Sequence, residues 1–168
     1  MKKHLTLFLI ILSLSALTLC SPGSKKNISW GFTLDGFPIT EEKLTTLQQE
    51  TGVPSPGYIV FFLQWAKSTQ KSYEMQCSPL RKTLQNVHDI GAIPCLTWEP
   101  MQILDGKRKD VLIEEIIQGR YDKYLTEVAL TIKKHSHPVM IRFAHEMNTL
   151  QYHWGITPPS LTSSYPQK

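Results

Sequence analysis

Four short apolar runs recur along the chain, at residues 28–32, 58–63, 92–97 and 139–143. Each run has the length of a β-strand, and the segments between them carry apolar residues at helical spacing. The last run is of the continuous kind typical of parallel strands buried on both faces. Strands that alternate with helices predict an α/β fold, in which helical crossovers join the strands of a parallel sheet.

Local signals predict where the helices begin and end. Thr40 is a favourable N-cap before two acidic residues, and Gly52 predicts the end of the same helix. Later helices are predicted to start at Ser78 with Pro79 behind it, to follow Asp110 over 111–118, and to cover 121–134.

Polar and aromatic residues follow each predicted strand at its carboxyl end: Asp35, then Gln64 with Trp65, Trp98 with Glu99, and His145 with Glu146. In a (β/α)8 barrel, functional residues lie at this end of the strands. A doubly wound open sheet places its site similarly, but the chain has no G-x-G-x-x-G or P-loop sequence. The pattern therefore favours part of a barrel.

The amino terminus has the features of an export signal. Lys2 and Lys3 precede an uncharged apolar stretch over 5–19, which is short for a membrane span. The sequence L-T-L-C over 17–20 resembles the bacterial lipoprotein cleavage box, although that box usually has a small residue where Leu19 stands. We therefore expect residues 1–20 to direct export and Cys20 to carry a lipid anchor in the membrane of the cell envelope. Ordinary signal cleavage with secretion, or an uncleaved anchor, is the alternative.

Net charge and cysteine content limit the expected binding partners and cross-links of the chain. The formal charge is +4, and it falls once a signal with Lys2 and Lys3 is removed, so no nucleic-acid partner is expected. Cys95 has the setting of a small hydrophobic residue in a strand, and Cys77 precedes a predicted helix. An exported protein permits a disulfide between them, but the spacing does not demand one.

The residues 138–155 concentrate the candidate chemistry, in the sequence P-V-M-I-R-F-A-H-E-M-N-T-L-Q-Y-H-W-G. A zinc motif H-E-x-x-H would need His where Thr149 stands, so no metal is expected. Glu146 follows a strand beside His145 and Arg142, which favours a functional role for this carboxylate.

The motif R-F-A-H-E-M-N followed by Y-H-W-G resembles the acid/base strand of glycoside hydrolase family 26, the β-mannanase-like retaining glycosidases. Two upstream segments, I-P-C-L-T-W-E-P and G-R-Y-D-K-Y, strengthen the resemblance, which covers residues 28–155. It implies a partial (β/α)8 TIM barrel, about the first four βα units. It also implies hydrolysis of O-glycosidic bonds in β-mannan-type polysaccharide, without a cofactor, and with Glu146 as the general acid/base.

Neighbouring residues have the chemistry to contact a polysaccharide or oligosaccharide. Arg142 and His145 can stabilise a carboxylate, and Asn148 can donate to a sugar hydroxyl. Trp98 and Trp154 offer flat faces for a pyranose ring, although core packing is the alternative for both. Glu99 and Tyr152 complete the predicted substrate-binding set.

A complete barrel needs about 250 residues and eight strands. We expect residues 21–27 to be a polar tether, 28–155 to be the amino-terminal half of such a barrel, and 156–168 to be a disordered tail. In family 26 the nucleophile lies on the seventh strand, so this chain is expected to lack it and to be inactive by itself. A second chain or self-association is expected to complete the barrel. The alternatives are a non-catalytic lipoprotein or sugar-binding remnant, or half of a split enzyme.

Overall fold

The structure is a computed structural model that describes residues 28–67 and 69–155. The predicted signal, tether, lipidated Cys20 and tail lie outside these residues. The elements in chain order are β1 (Gly31–Thr33), α1 (Glu41–Thr51), β2 (Tyr58–Gln64), α2 (Gln70–Asp89), β3 (Ile93–Glu99), β4 (Met101–Leu104), β5 (Lys107–Asp110), α3 (Ile113–Ile117), α4 (Asp122–His135) and β6 (Met140–Phe143).

The main sheet has four parallel strands in the order β1-β2-β3-β6, so each strand lies beside the one that precedes it in the sheet. In register, Phe32 lies beside Ile59, Phe61 beside Leu96, and Leu96 beside Ile141. Helices connect the strands, because parallel neighbours need long crossovers. The predicted α/β fold with a four-stranded parallel sheet is confirmed.

One face of the sheet packs on the helices. Ile59, Phe61 and Leu63 alternate along β2 and are buried in one cluster with Leu80 and Leu84 of α2. The alternation follows from the two-residue period of a strand, and the four-residue spacing follows from the helical turn. Burying each of these side chains contributes about 1.5–3 kcal/mol to folding. This cluster holds the strands whose carboxyl ends carry the candidate site.

The limits of α1 agree with its local signals, but those of α2 do not. Thr40 accepts a hydrogen bond from the backbone of Lys43, and Gly52 adopts the left-handed conformation with φ 68°. In contrast, α2 begins at Gln70 after the N-cap Thr69, and Pro79 lies inside it. The predicted start at Ser78 is wrong, because the packing of the apolar face sustains the helix through the proline.

A second correction concerns Asp110, which was predicted to cap a helix. It is the last residue of β5, which pairs with β4 in an antiparallel hairpin. The hairpin turns at Asp105 and Gly106, with φ 52° and 73°, as a two-residue turn with positive φ requires. The following α3 covers only Ile113–Ile117 and has no side-chain cap.

The strand β6 was predicted to be buried on both faces and is instead exposed. Met140, Ile141 and Phe143 keep 48–52% of their accessible surface. The reason is position: β6 is the edge strand of the described sheet, and β3 is its one strand neighbour there. Cys77 and Cys95 are both buried and free, and Cys77 lies within α2. None of the described helices is long and apolar enough to span a membrane.

Candidate active site at the carboxyl edge of the sheet

Three neighbouring strands bring the site residues to one edge. Gln64 ends β2 and lies beside Glu99, which ends β3. After β6, the backbone N–H of Ala144 donates to the carbonyl of Trp98 at 3.1 Å, which continues the contact between the strands by one residue. His145 therefore leaves the sheet directly beside Glu99.

The backbone turns sharply around His145. Ala144 and Glu146 have φ of 46° and 55°, in the left-handed region that residues with a side chain rarely adopt. Such conformations cost about 1–3 kcal/mol each and persist where surrounding contacts impose them. Here the Glu146 carbonyl accepts from both the backbone and the hydroxyl of Thr149. The turn directs His145 back over the sheet and leaves Glu146 exposed.

The imidazole of His145 lies between two carboxylates. Its Nδ1 is 3.8 Å from Oε1 of Glu99, and its Nε2 is 4.0 Å from Oε1 of Glu146. These distances exceed a hydrogen bond, and Nδ1 has no hydrogen-bond partner among the described residues. Nε2 lies 3.2 Å from the hydroxyl of Tyr152. The imidazole thus lies within ion-pair distance of a buried carboxylate and of one that is open to solvent.

The carboxylate of Glu99 is 3% exposed and is held from two sides. One oxygen accepts from the side-chain amide of Gln64, and the other faces His145. A buried carboxylate needs such partners, because its desolvation is otherwise too costly. Gln64 was noticed in the sequence only as a residue after a strand, and its register beside Glu99 is the signal that gives it a role.

Two aromatic residues support His145. Tyr152 and Trp154 stack with ring centroids 4.5 Å apart, and Nε1 of Trp154 donates to the His145 carbonyl at 2.7 Å. Burial, followed by the charges of Glu99 and Glu146, raises the pKa of the Tyr152 hydroxyl. Trp154 is 7% exposed, so in this structure its ring supports the site and does not present an open face to a sugar.

The hairpin β4–β5 contacts the Tyr152–Trp154 pair, and the sequence did not indicate this contact. The guanidinium of Arg108 lies 5.2 Å from the ring centroid of Tyr152. Asp110 Oδ1 lies 3.2 Å from Nδ1 of His153. The Asp105-Gly106 pair is the sequence signal that could have revealed the hairpin.

The structure does not bring every predicted residue to the site. Trp98 packs on the helix side, with its ring centroid 5.4 Å from that of Trp65 and its Nε1 donating to the Tyr124 hydroxyl at 3.1 Å. Successive strand residues point to opposite faces, so Trp98 faces away from the site when Glu99 faces it. Its predicted sugar contact is therefore replaced by the core-packing alternative.

The remaining two predicted residues lie at the margin. Arg142 is exposed on β6 in register with Thr97, and its charge lowers the pKa of the Tyr152 hydroxyl against the larger opposing effects. Asn148 is exposed in the turn after Glu146. The site thus unites Glu99, His145, Glu146, Tyr152 and Trp154, with Arg142 and Asn148 at its edge.

Within the described ranges, no three His, Cys, Asp or Glu side chains are grouped to hold a metal ion. Comparisons of the chain with models of known protein families, with curated proteins and with solved structures found no match.

Proposed function

We propose that this chain is the acid/base-bearing half of a (β/α)8 glycoside hydrolase of the family 26 type, acting on β-mannan-type polysaccharide. The observation that carries the proposal is the position of His145 between Glu99 and the exposed Glu146, at the carboxyl edge of a parallel sheet. Functional residues of α/β barrels lie at this edge.

The two carboxylates take different roles in this proposal. The side chain of Glu146 is 46% exposed, so it can reach a glycosidic oxygen as the general acid. Both oxygens of Glu99 face protein groups, so it positions His145 and does not attack the sugar. A positioned general acid contributes about 10²–10⁴-fold in rate.

A retaining glycosidase needs a second carboxylate about 5–5.5 Å from the first. We propose that a further polypeptide segment supplies this nucleophile when it pairs with β6. The exposure of Met140, Ile141 and Phe143 supports this proposal, because these residues leave an apolar strand uncovered. Export with a lipid anchor at Cys20 belongs to the same proposal, since an envelope location gives access to polysaccharide.

Binding to defined oligosaccharides tests the proposed substrate. Isothermal titration calorimetry of the full chain with β-1,4-mannohexaose is expected to give measurable binding, and cellohexaose and xylohexaose are expected to bind more weakly. Tyr152→Ala removes the aromatic beside His145 and is expected to weaken mannohexaose binding about tenfold, or about 1.4 kcal/mol. Glu50→Gln, on the exposed face of α1, is the matched surface control. Equal binding of all three sugars, or none, contradicts the proposal.

The second candidate is a sugar-binding protein without catalysis. Both oxygens of Glu99 face protein groups, so Glu146 is the one carboxylate of the described site that is open to a sugar. Retaining hydrolysis needs two carboxylates, so this arrangement favours the second candidate. Co-expression with strands five to eight of a family 26 β-mannanase separates the two candidates. Hydrolysis of mannan that is lost in Glu146→Gln supports the enzyme. Binding without hydrolysis in the co-expressed pair supports the sugar-binding protein.

A further inference from the structure

The hairpin β4–β5 holds the segment 151–154 through Arg108. The Nη1 of Arg108 donates to the carbonyl of Gln151 at 3.2 Å, and its Nε donates to Oδ1 of Asp110 at 2.8 Å. The guanidinium carbon lies 5.2 Å from the centroid of Tyr152 and 5.9 Å from that of Trp154. These distances allow a cation–π attraction, which adds to the hydrogen bonds.

The base of the hairpin holds the same segment a second time, through His153. The Nδ1 of His153 lies 3.2 Å from Oδ1 of Asp110, without hydrogen-bond alignment, and its Nε2 lies 2.8 Å from the carbonyl of Val111. A carbonyl oxygen only accepts, so the Nε2 of His153 is the donor in its contact with Val111. Asp110 thus connects Arg108 and His153 within one contact network.

The held segment in turn fixes His145 at two points. The Tyr152 hydroxyl contacts the Nε2 of His145 at 3.2 Å, and the Trp154 indole donates to the His145 carbonyl at 2.7 Å. The left-handed turn at Ala144 and Glu146 makes such support necessary, since neither conformation is favourable by itself. A contact path therefore runs from Arg108 through Tyr152 to the imidazole.

We propose that Arg108 is a positioning residue of the site, which holds Tyr152 in contact with the Nε2 of His145. The meaning of this positioning for acid catalysis rests on the proposed glycosidase function, but the positioning itself does not. Lys109 is the natural comparison, because it is the adjacent, exposed basic residue of β5 and points to the other face of the hairpin.

Nuclear magnetic resonance of the full chain tests the positioning directly. The charge of Arg108 lowers the pKa of the Tyr152 hydroxyl, against larger effects that raise it. In Arg108→Met the Tyr152 pKa is expected to rise, because the lowering charge is removed. The ring-nitrogen resonances of His145 are expected to move as its contact with Tyr152 loosens. Arg108→Lys should restore part of both signals, and Lys109→Met should change neither. Tyr152→Phe identifies the tyrosine signal.

Two results would overturn the positioning role. The first is a folded Arg108→Met in which the Tyr152 titration and the His145 resonances are unchanged. The second applies if Arg108→Met fails to fold: an Arg108→Lys variant identical to Lys109→Met in both signals then overturns it. Calorimetry with mannohexaose separates this proposal from the function. If the resonances shift but the wild-type chain binds no sugar, the positioning role stands and the glycosidase function is rejected. If the wild-type chain binds sugar but the resonances do not move, the positioning role is rejected and the glycosidase function stands.

Discussion

The strands β3 and β6 are hydrogen-bonded neighbours with similar apolar character, yet their environments are opposite. From Pro94 to Glu99 every residue of β3 is buried, whereas every residue of β6 is exposed. The helices and β2 cover β3, while β6 has a strand on one side only. Apolar composition therefore identifies a strand, whereas the elements around the strand decide its burial. The candidate site lies at the boundary between these two strands.

The largest expected difference in unfolding free energy is between alanine variants of two phenylalanines on the helix-facing side of the sheet. Phe61 in β2 is fully buried and Phe143 in β6 is 48% exposed. Phe61→Ala is expected to lower the free energy of unfolding by about 3–5 kcal/mol, since it opens a cavity in the core. Phe143→Ala is expected to lower it by about 1 kcal/mol or less. Urea unfolding of the full chain measures both. Equal losses would mean that β6 is covered in solution and that Phe143 is as buried as Phe61.

The two carboxylates on either side of His145 make the next comparison. Glu99→Ala leaves the Gln64 amide without its carboxylate partner and is expected to cost about 1–3 kcal/mol of unfolding free energy. Glu146→Ala changes an exposed side chain and is expected to stay within about 0.5 kcal/mol. Thermal unfolding at constant pH compares the two variants. A larger loss for Glu146→Ala contradicts their assignment as buried and exposed carboxylates.

The parts of the fold that sequence could predict depend on local physics. The N-cap at Thr40, the left-handed Gly52 and the alternation along β2 each follow from a few adjacent residues. The start of α2 was misplaced, because Pro79 is a strong local signal for a first turn that the packing of the helix overrides. The hairpin was missed, because β5 reads K-R-K-D and has no apolar residue to mark a strand.

In the site too, adjacent residues could be predicted from the sequence, whereas contacts between distant residues could not. His145 and Glu146 stand in one motif, so the sequence could indicate them together. Their contacts to Glu99, Tyr152 and Arg108 join separate strands and a hairpin, and no local pattern encodes such distances. Trp98 was assigned to a sugar contact, although its adjacency to Glu99 already placed the two side chains on opposite faces of β3.

The smallest expected effect concerns the residues just before β6. Burial, followed by the charges of His137 and His88, lowers the pKa of His135 below its ordinary value. The unfolded chain binds the His135 proton more tightly than the folded chain does. The contribution of neutral His135 to folding stability is therefore fully present above a pH of about 6.5, the ordinary histidine pKa, and is lost as the pH falls below that value. His135→Gln should flatten the decline in stability that urea unfolding shows in this window. An unchanged pH dependence would show that other groups cause the decline.

In the proposed function, sugar binds at the carboxyl edge of the sheet, where the covered strand β3 and the open strand β6 meet. Titration of β-1,4-mannohexaose into the isotope-labelled chain, followed by nuclear magnetic resonance, locates the bound sugar. We expect saturable shifts at the site residues Gln64, His145, Glu146 and Tyr152. No change is expected at His88 and His135, whose ring centroids lie 5.7 Å apart near the ends of α2 and α4. Shifts centred on His88 and His135, or none at saturating sugar, would contradict the proposed function.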